Sequence, residues 1–190
     1  MTIPTIETVR LRLRPFKPDD ADAFIAGTRH PDFARMMSPT GEPQPEGEVW
    51  RLLATVIGAW TLNGFSMFAV EEKASGALVG RVGPWQPRGW PGFEVGWGIW
   101  REHWGKGYAT EAAAASVVWA HEALGHDRVL HLIKPENMPS RKVAERLGAK
   151  IVGQWEPPWP GEIDLWATDW EVFTGTPAYE RHVAAMQRRP

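Results

Sequence analysis

HWGKGYATEA, His103 to Ala112, is the stretch on which the reading of this chain turns. Two glycines flank a lysine, and the sequence then enters an alanine-rich run without a break. Upstream, EVGWGIW, Glu94 to Trp100, reads as a strand interrupted by Gly96 and Gly98. Downstream, Ala113, Val117, Ala120 and Leu124 recur at helical spacing, and Gly125 is placed to end the helix. A loop this bare of side chains leaves the N–H groups of the helix start open to approach. Such a start carries roughly half a positive charge and attracts phosphate. Glycine removes the Cβ that would hold an anion away.

Gly-x-Gly alone does not say which phosphate. A nucleoside-triphosphatase loop needs Gly-Lys-Ser/Thr after a longer glycine frame; here Gly105-Lys106 leads to Gly107, with no hydroxyl to hold magnesium. A dinucleotide fingerprint needs a third glycine and a later ribose-binding acid, and Ala109 and Thr110 do not fit it.

Composition narrows the field further. The 190 residues are 43% hydrophobic and 23% charged, the profile of one soluble globular domain. A net charge of -2 gives no global attraction to nucleic acid or to an anionic membrane. With no cysteine, disulfides, zinc–thiolate sites and a thiol nucleophile are excluded. The start, MTIPTIETVRLRLR, lacks the apolar core of a signal peptide, and no apolar run is long enough to span a bilayer, so a cytoplasmic location is expected. Twelve tryptophans and seventeen prolines are many for this length; core filling and stiff loops account for them in preference to an aromatic site.

The pattern predicts a strand over 9–15, a helix from Pro18 to Arg29, an irregular stretch from His30 to Gly47, and a helix over 49–62 ended by Asn63-Gly64. Strands follow over 66–72, 77–84 and 93–100, then a helix over 107–124. A strand over 128–134, a helix over 138–147, strands over 149–155 and 164–173, and a helix over 179–188 complete the order. The strands either side of the 107–124 helix should lie side by side and parallel, with a right-handed crossover. The fold class is α/β (α+β): a mixed, mostly antiparallel sheet of about seven strands with helices on both faces. One domain over 1–175 and a tail over 176–190 are expected.

WGKGYATEA closely resembles the pyrophosphate loop of GNAT-family N-acetyltransferases. Their Gln/Arg-x-x-Gly-x-Gly/Ala pattern maps onto Trp104, Gly105, Lys106, Gly107, Tyr108 and Ala109, with Trp104 departing from the usual first residue. A second block, NMPSRKVAERLGAK from Asn137 to Lys150, is similar to the Asn-x-x-Ser helix of the branch that acetylates ribosomal-protein N-termini (the Rim type). LRLRPFKPDDADAF matches that branch's opening strand. The resemblance implies a GNAT-like fold, acetyl-coenzyme A as co-substrate, an amine acceptor, no metal, and direct acetyl transfer. It further implies that the loop from Trp104 to Thr110 holds the pyrophosphate, and that the backbone of Ile99 and Trp100 pairs with pantetheine amides in a gap between splayed strands. Asn137 would hold the coenzyme arm, and Ser140 would bond the leaving thiolate.

Glu94 is the lone acid on the strand that feeds the loop. It is the candidate general base; the alternatives are a partly exposed strand carboxylate, an anchor for a cationic substrate, and a water relay with no single base. Asn137 and Ser140 suit helix capping as well as catalysis. Gly96 and Gly98 mark either a close backbone approach or room for large side chains. Tyr108 and Tyr179 are poorly placed as proton donors, and His103 and His131 lack ligand-spaced partners. The acceptor walls are expected at 30–47, 84–92 and 157–162, with Met36, Met37, Trp85, Trp90 and Trp159, which suit a partly apolar amine: a peptide N-terminus, an amino acid or a small amine. Glu42, Glu46 and Glu48 would attract a cationic one. Two competing classes are a non-catalytic coenzyme A-binding or sensing domain of the same fold and a tryptophan-lined ligand binder. Homodimers are common in such families, but no interface can be read from the sequence.

Overall fold

The computed structural model describes residues 3–187. Its strands are Ile6–Glu7 (β1), Leu11–Arg14 (β2), Phe68–Glu72 (β3), Leu78–Trp85 (β4), Glu94–Ile99 (β5), Arg128–Ile133 (β6), Lys150–Trp155 (β7) and Ile163–Asp169 (β8). They form one eight-stranded sheet in the order β1-β2-β3-β4-β5-β6-β8-β7. All neighbours are antiparallel except β5 and β6. The helices are Ala21–Arg29 (α1), Pro31–Met37 (α2), Glu46–Asn63 (α3), Tyr108–Leu124 (α4), Met138–Arg146 (α5), Trp170–Phe173 (α6) and Pro177–Gln187 (α7).

Alternation sorts the side chains of the sheet. On β5, Val95, Trp97 and Ile99 join the core that includes Ala113 and Val117 of α4. The opposite face packs on Phe24, Phe33, Val49, Leu53 and Trp100, beneath α1, α2 and α3. Close approach there requires glycine twice over. A Cβ on Gly98 would lie 2.9 Å from the Phe33 ring, and one on Gly27 would lie 2.5 Å from Trp100. The alternating LRLR of β2 buries Leu11 and Leu13 and turns Arg12 and Arg14 toward Glu71 on β3, both at 2.7 Å.

Three local readings change. The eighth strand is β1, because the expected 9–15 strand is a hairpin whose turn closes with Thr8 N–H on the Leu11 carbonyl at 2.9 Å and leaves Val9 exposed. The stretch read as irregular contains α2, which begins with Pro31 at its first turn and is capped by His30 Nδ1 accepting from Asp32 N–H at 3.2 Å. The last expected strand ends at Asp169, where Trp170 N–H donates to the Asp127 carbonyl at 2.8 Å and the chain coils into α6. The C-terminal segment forms α7, which packs against α4 with Ala178 buried; residues 188–190, including the end of the helix expected over 179–188, lie outside the described residues.

The parallel neighbours β5 and β6 set the site. They pair at Glu94–Leu130, where Leu130 N–H reaches the Phe93 carbonyl at 2.8 Å, and diverge beyond it. The C-terminal half of β5 therefore has a strand on one side only.

Candidate active site

The quoted loop is built as a bare helix start. Gly105 and Gly107 have φ of 76° and 80°, a region closed to most side chains, and Gly107 is the N-cap of α4 with no side chain bonded to the first turn. Among the described residues, no atom beyond its two chain neighbours lies within 4 Å of a Cβ built on Gly105, so the approach is open. The loop is fixed from behind. Arg10 donates to the Lys106 carbonyl at 2.8 Å and through Nε to Glu111 of α4 at 2.7 Å, and Glu111 also accepts from Thr8 Oγ1 at 2.6 Å. Tyr108 turns its hydroxyl onto Glu72, which raises the phenol pKa, so this tyrosine braces the loop. A cleft of about 880 Å³ opens in front, rimmed by His103, Lys142, Arg146 and Arg181. A basic rim around unpaired helix N–H groups fits a polyphosphate.

The expected backbone partners in the gap shift by one step. Trp100 N–H donates to the Val79 carbonyl at 2.8 Å, and its carbonyl accepts from His103 N–H at 2.9 Å, so Trp100 is committed within the protein. Antiparallel alternation then turns the N–H and C=O of Trp97 and Ile99 away from β4 and into the gap. The Ile99 carbonyl already accepts from Trp104 Nε1 at 2.6 Å, which gives the unusual first loop residue a structural role. The Ile99 N–H and both backbone groups of Trp97 point to where an amide-bearing arm would lie. His131 holds the gap at its closed end: Nδ1 lies 2.7 Å from the Val95 carbonyl and Nε2 lies 2.8 Å from Thr168 Oγ1. Burial lowers its pKa to about 4, so the neutral ring donates from Nδ1 and accepts at Nε2.

Glu94 begins β5 on the opposite side, buried to 6% exposure. Burial raises its pKa to about 7, against the opposing pull of its bonds from Trp90 Nε1 at 2.7 Å and Leu132 N–H at 3.4 Å and of the nearby Arg81 charge. Gly96 leaves the space into which this carboxyl turns, since a Cβ there would lie 3.1 Å from Glu94 Oε1. A second cavity, of about 480 Å³, surrounds the carboxyl and is walled by Trp85, Trp90, Trp155 and Trp159. Phe33, Met37, Trp97, Asn137 and Ser140 line both spaces, so the two clefts meet beside the end of β5.

Asn137 caps α5, its side chain accepting from Ser140 N–H at 3.2 Å. That bond is the capping alternative raised for Asn137; Ser140 also lines the junction. His103 stands 3.4 Å from Lys106 at the rim, and Tyr179 packs 5.4 Å from Phe173, away from the junction. Sequence reasoning missed Trp97, Arg81 and the bridge that His131 makes between Val95 and Thr168. The one visible signal was Arg81 itself, a lone charge in the otherwise apolar LVGRVGPW.

A sequence model of the acetyltransferase (GNAT) domain matches residues 10–150. The chain is 29% identical over 153 residues to a Bacillus licheniformis protein named uncharacterized N-acetyltransferase p20, covering 78% of this chain and 84% of that one. Two further curated relatives match over 50% and 52% of this chain, and each match spans 58% of the relative. The crystal structure of an acetyltransferase from Agrobacterium tumefaciens superposes with a TM-score of 0.74 at 28% identity, over 88% of this chain and 95% of that one. The fold is shared with Mycobacterium smegmatis RimJ, solved in complex with CoA-disulfide, at a TM-score of 0.73 and 20% identity over 96% and 95% of the chains.

Proposed function

The chain belongs to the GNAT acetyltransferase family, and on that premise we propose that it is an N-acetyltransferase carrying the acetyl group of acetyl-coenzyme A to a primary amine where the two clefts meet. The observation that carries this reading is the buried Glu94, a carboxyl with a pKa near 7 on the acceptor side of that junction. A general base works best when its pKa lies near the working pH.

The groups divide the work. The first turn of α4 and the basic rim hold the pyrophosphate, and the Trp97 backbone and Ile99 N–H align the pantetheine arm. Bound acetyl-coenzyme A supplies an activated thioester. An alkylamine reaches the cleft as an ammonium, with a pKa of about 10 in water. Apolar walls lower that value by desolvation, which brings the amine nearer to Glu94. Ionised Glu94 takes the proton, directly or through one water, and the neutral amine attacks the thioester carbon. The C–N bond forms and the C–S bond breaks. The second amine proton goes to the departing sulfur, which the Ser140 hydroxyl would hydrogen-bond. The balance is one ammonium and one thioester in, one amide, one thiol and one proton out.

The test follows thiol release from acetyl-coenzyme A, with product mass, against a panel of primary amines. Amine-dependent release with stoichiometric amide is expected. Tight coenzyme A binding with no release across the panel would make the chain a binding or sensing domain, and absence of binding would remove the loop assignment as well.

A further inference from the structure

Arg81 is not used by the mechanism above, and its surroundings do not account for it. It lies on β4 opposite Gly98, so its side chain shares a face of the sheet with Glu94, which lies two strand repeats back along β5, past Gly96. It is 8% exposed and lines the Glu94 cavity. Burial lowers its pKa to about 10, which still leaves it a cation near neutral pH. Nη1 donates to the Met67 thioether at 3.0 Å, a weak acceptor, and among the described residues Nε has no hydrogen-bond partner. Glu94 is within electrostatic reach but makes no ion pair with it among the described residues, and is itself close to half neutral at pH 7. A buried guanidinium left this way is costly unless an anion arrives. Thr28 lines the same cavity, and its Oγ1 is another buried polar atom with no hydrogen-bond partner among the described residues.

The far wall of the cavity is aromatic. Trp90, Trp155 and Trp159 have ring centroids 5.1 to 6.1 Å apart, meeting at tilted and edge-on angles. Trp90 also holds Glu94 through its indole N–H, so the wall and the carboxyl are one construction. The cavity thus offers a fixed cation, a carboxyl that handles an amine, and a box for a large apolar group.

We infer that the acceptor is a free amino acid with a bulky hydrophobic side chain: Arg81 takes its carboxylate, Glu94 faces its amine, and the Trp90–Trp155–Trp159 wall takes its side chain. A guanidinium fork matches a carboxylate in two bonds, which would satisfy the stranded Nε. A peptide N-terminus presents a neutral amide at that place and a simple amine presents nothing. The inference rests on the acetyltransferase reading and narrows its acceptor.

The test compares tryptophan, tryptophan amide, tryptamine, glycine and the dipeptide Trp-Gly as acceptors for thiol release by the intact protein. Tryptophan is expected to exceed its amide, tryptamine and the dipeptide by about 10²-fold in kcat/KM, the order of a lost charge-assisted pair. Glycine should fall behind tryptophan by a similar factor, having no side chain for the wall. In Arg81→Gln the ratio of tryptophan to tryptamine should collapse toward one, with the loss carried by KM for tryptophan; Arg81→Lys should keep part of the ratio. Equal use of tryptophan, its amide and tryptamine by the unmodified protein overturns the inference while leaving acetyl transfer intact, and this arm needs no variant to fold. Preference for the dipeptide over tryptophan would also overturn it, in favour of a peptide N-terminus. No turnover with any amine is the separate failure of the acetyltransferase reading.

Discussion

Glu94 carries opposing demands that a single substitution separates. In the unfolded chain its carboxyl titrates near the ordinary 4.5, and in the fold near 7. The folded state therefore favours the protonated form. Its stabilising contribution is complete below pH 4.5 and is lost as pH rises through about 7. Glu94→Gln, which stays neutral, should match the parent protein in stability near pH 4.5 and exceed it increasingly up to pH 8, by up to about 3 kcal/mol. Chemical denaturation across that range measures the difference. A variant less stable at pH 8 than the parent would mean that the carboxylate is held by more than Trp90 and Leu132. The position was legible in sequence as the lone acid on its strand. Its tuning was not, because the Trp90 bond lies across a turn and much of the enclosure comes from α2, α3 and β6, far away in the sequence.

At the scale of elements, the loop between β5 and α4 and the start of α5 answer to different tests. Gly105→Asp places a carboxylate before the unpaired N–H groups of α4, in open space and at a φ that aspartate tolerates better than most residues. The fold should survive and coenzyme A binding by calorimetry should fall at least about 10²-fold; unchanged affinity in a folded variant would contradict a pyrophosphate there. For α5, Asn137→Ala removes the cap and should cost about 0.5–2 kcal/mol of stability. Ser140→Ala keeps that cap, which uses the Ser140 backbone, so it should lower turnover more than stability; the reverse pattern would leave Ser140 structural. Both blocks could be found in sequence because glycine at positive φ and Asn at an N-cap are local necessities. α2 was not, because Pro31 and His30 start a helix inside a stretch whose prolines and methionines read as irregular. The Trp100 backbone was misassigned for a similar reason: which edge of a strand faces the gap depends on hydrogen-bond phase, and that is set by the partner strand.

For the whole molecule, the decisive feature is a continuous sheet that opens between β5 and β6, with the bare start of α4 on one side and a tryptophan-walled cavity on the other. A ligand laid in the opening bridges the two halves. Coenzyme A at 100 times its Kd should add about 2.7 kcal/mol of stability, or roughly 5–10 °C in Tm for a chain of this size, and should slow amide exchange at Trp97 and Ile99. Helices on both faces and the parallel pair could be foreseen from element order, and Trp90 and Trp159 were expected as acceptor walls; that Arg81 from β4 and Trp155 from β7 join them around Glu94 could not, since that depends on how distant segments pack. The central claim is that acetyl transfer occurs at this junction with Glu94 taking the amine proton. It is tested most directly by the pH dependence of kcat/KM for thiol release, measured from pH 5.5 to 9 on the parent protein and on Glu94→Gln with a slow acceptor. The account predicts a break near pH 7 in the parent that is missing from the variant, and a loss in the variant of about 10²-fold or more at pH 7 that narrows as pH rises. Profiles of the same shape and height would contradict it.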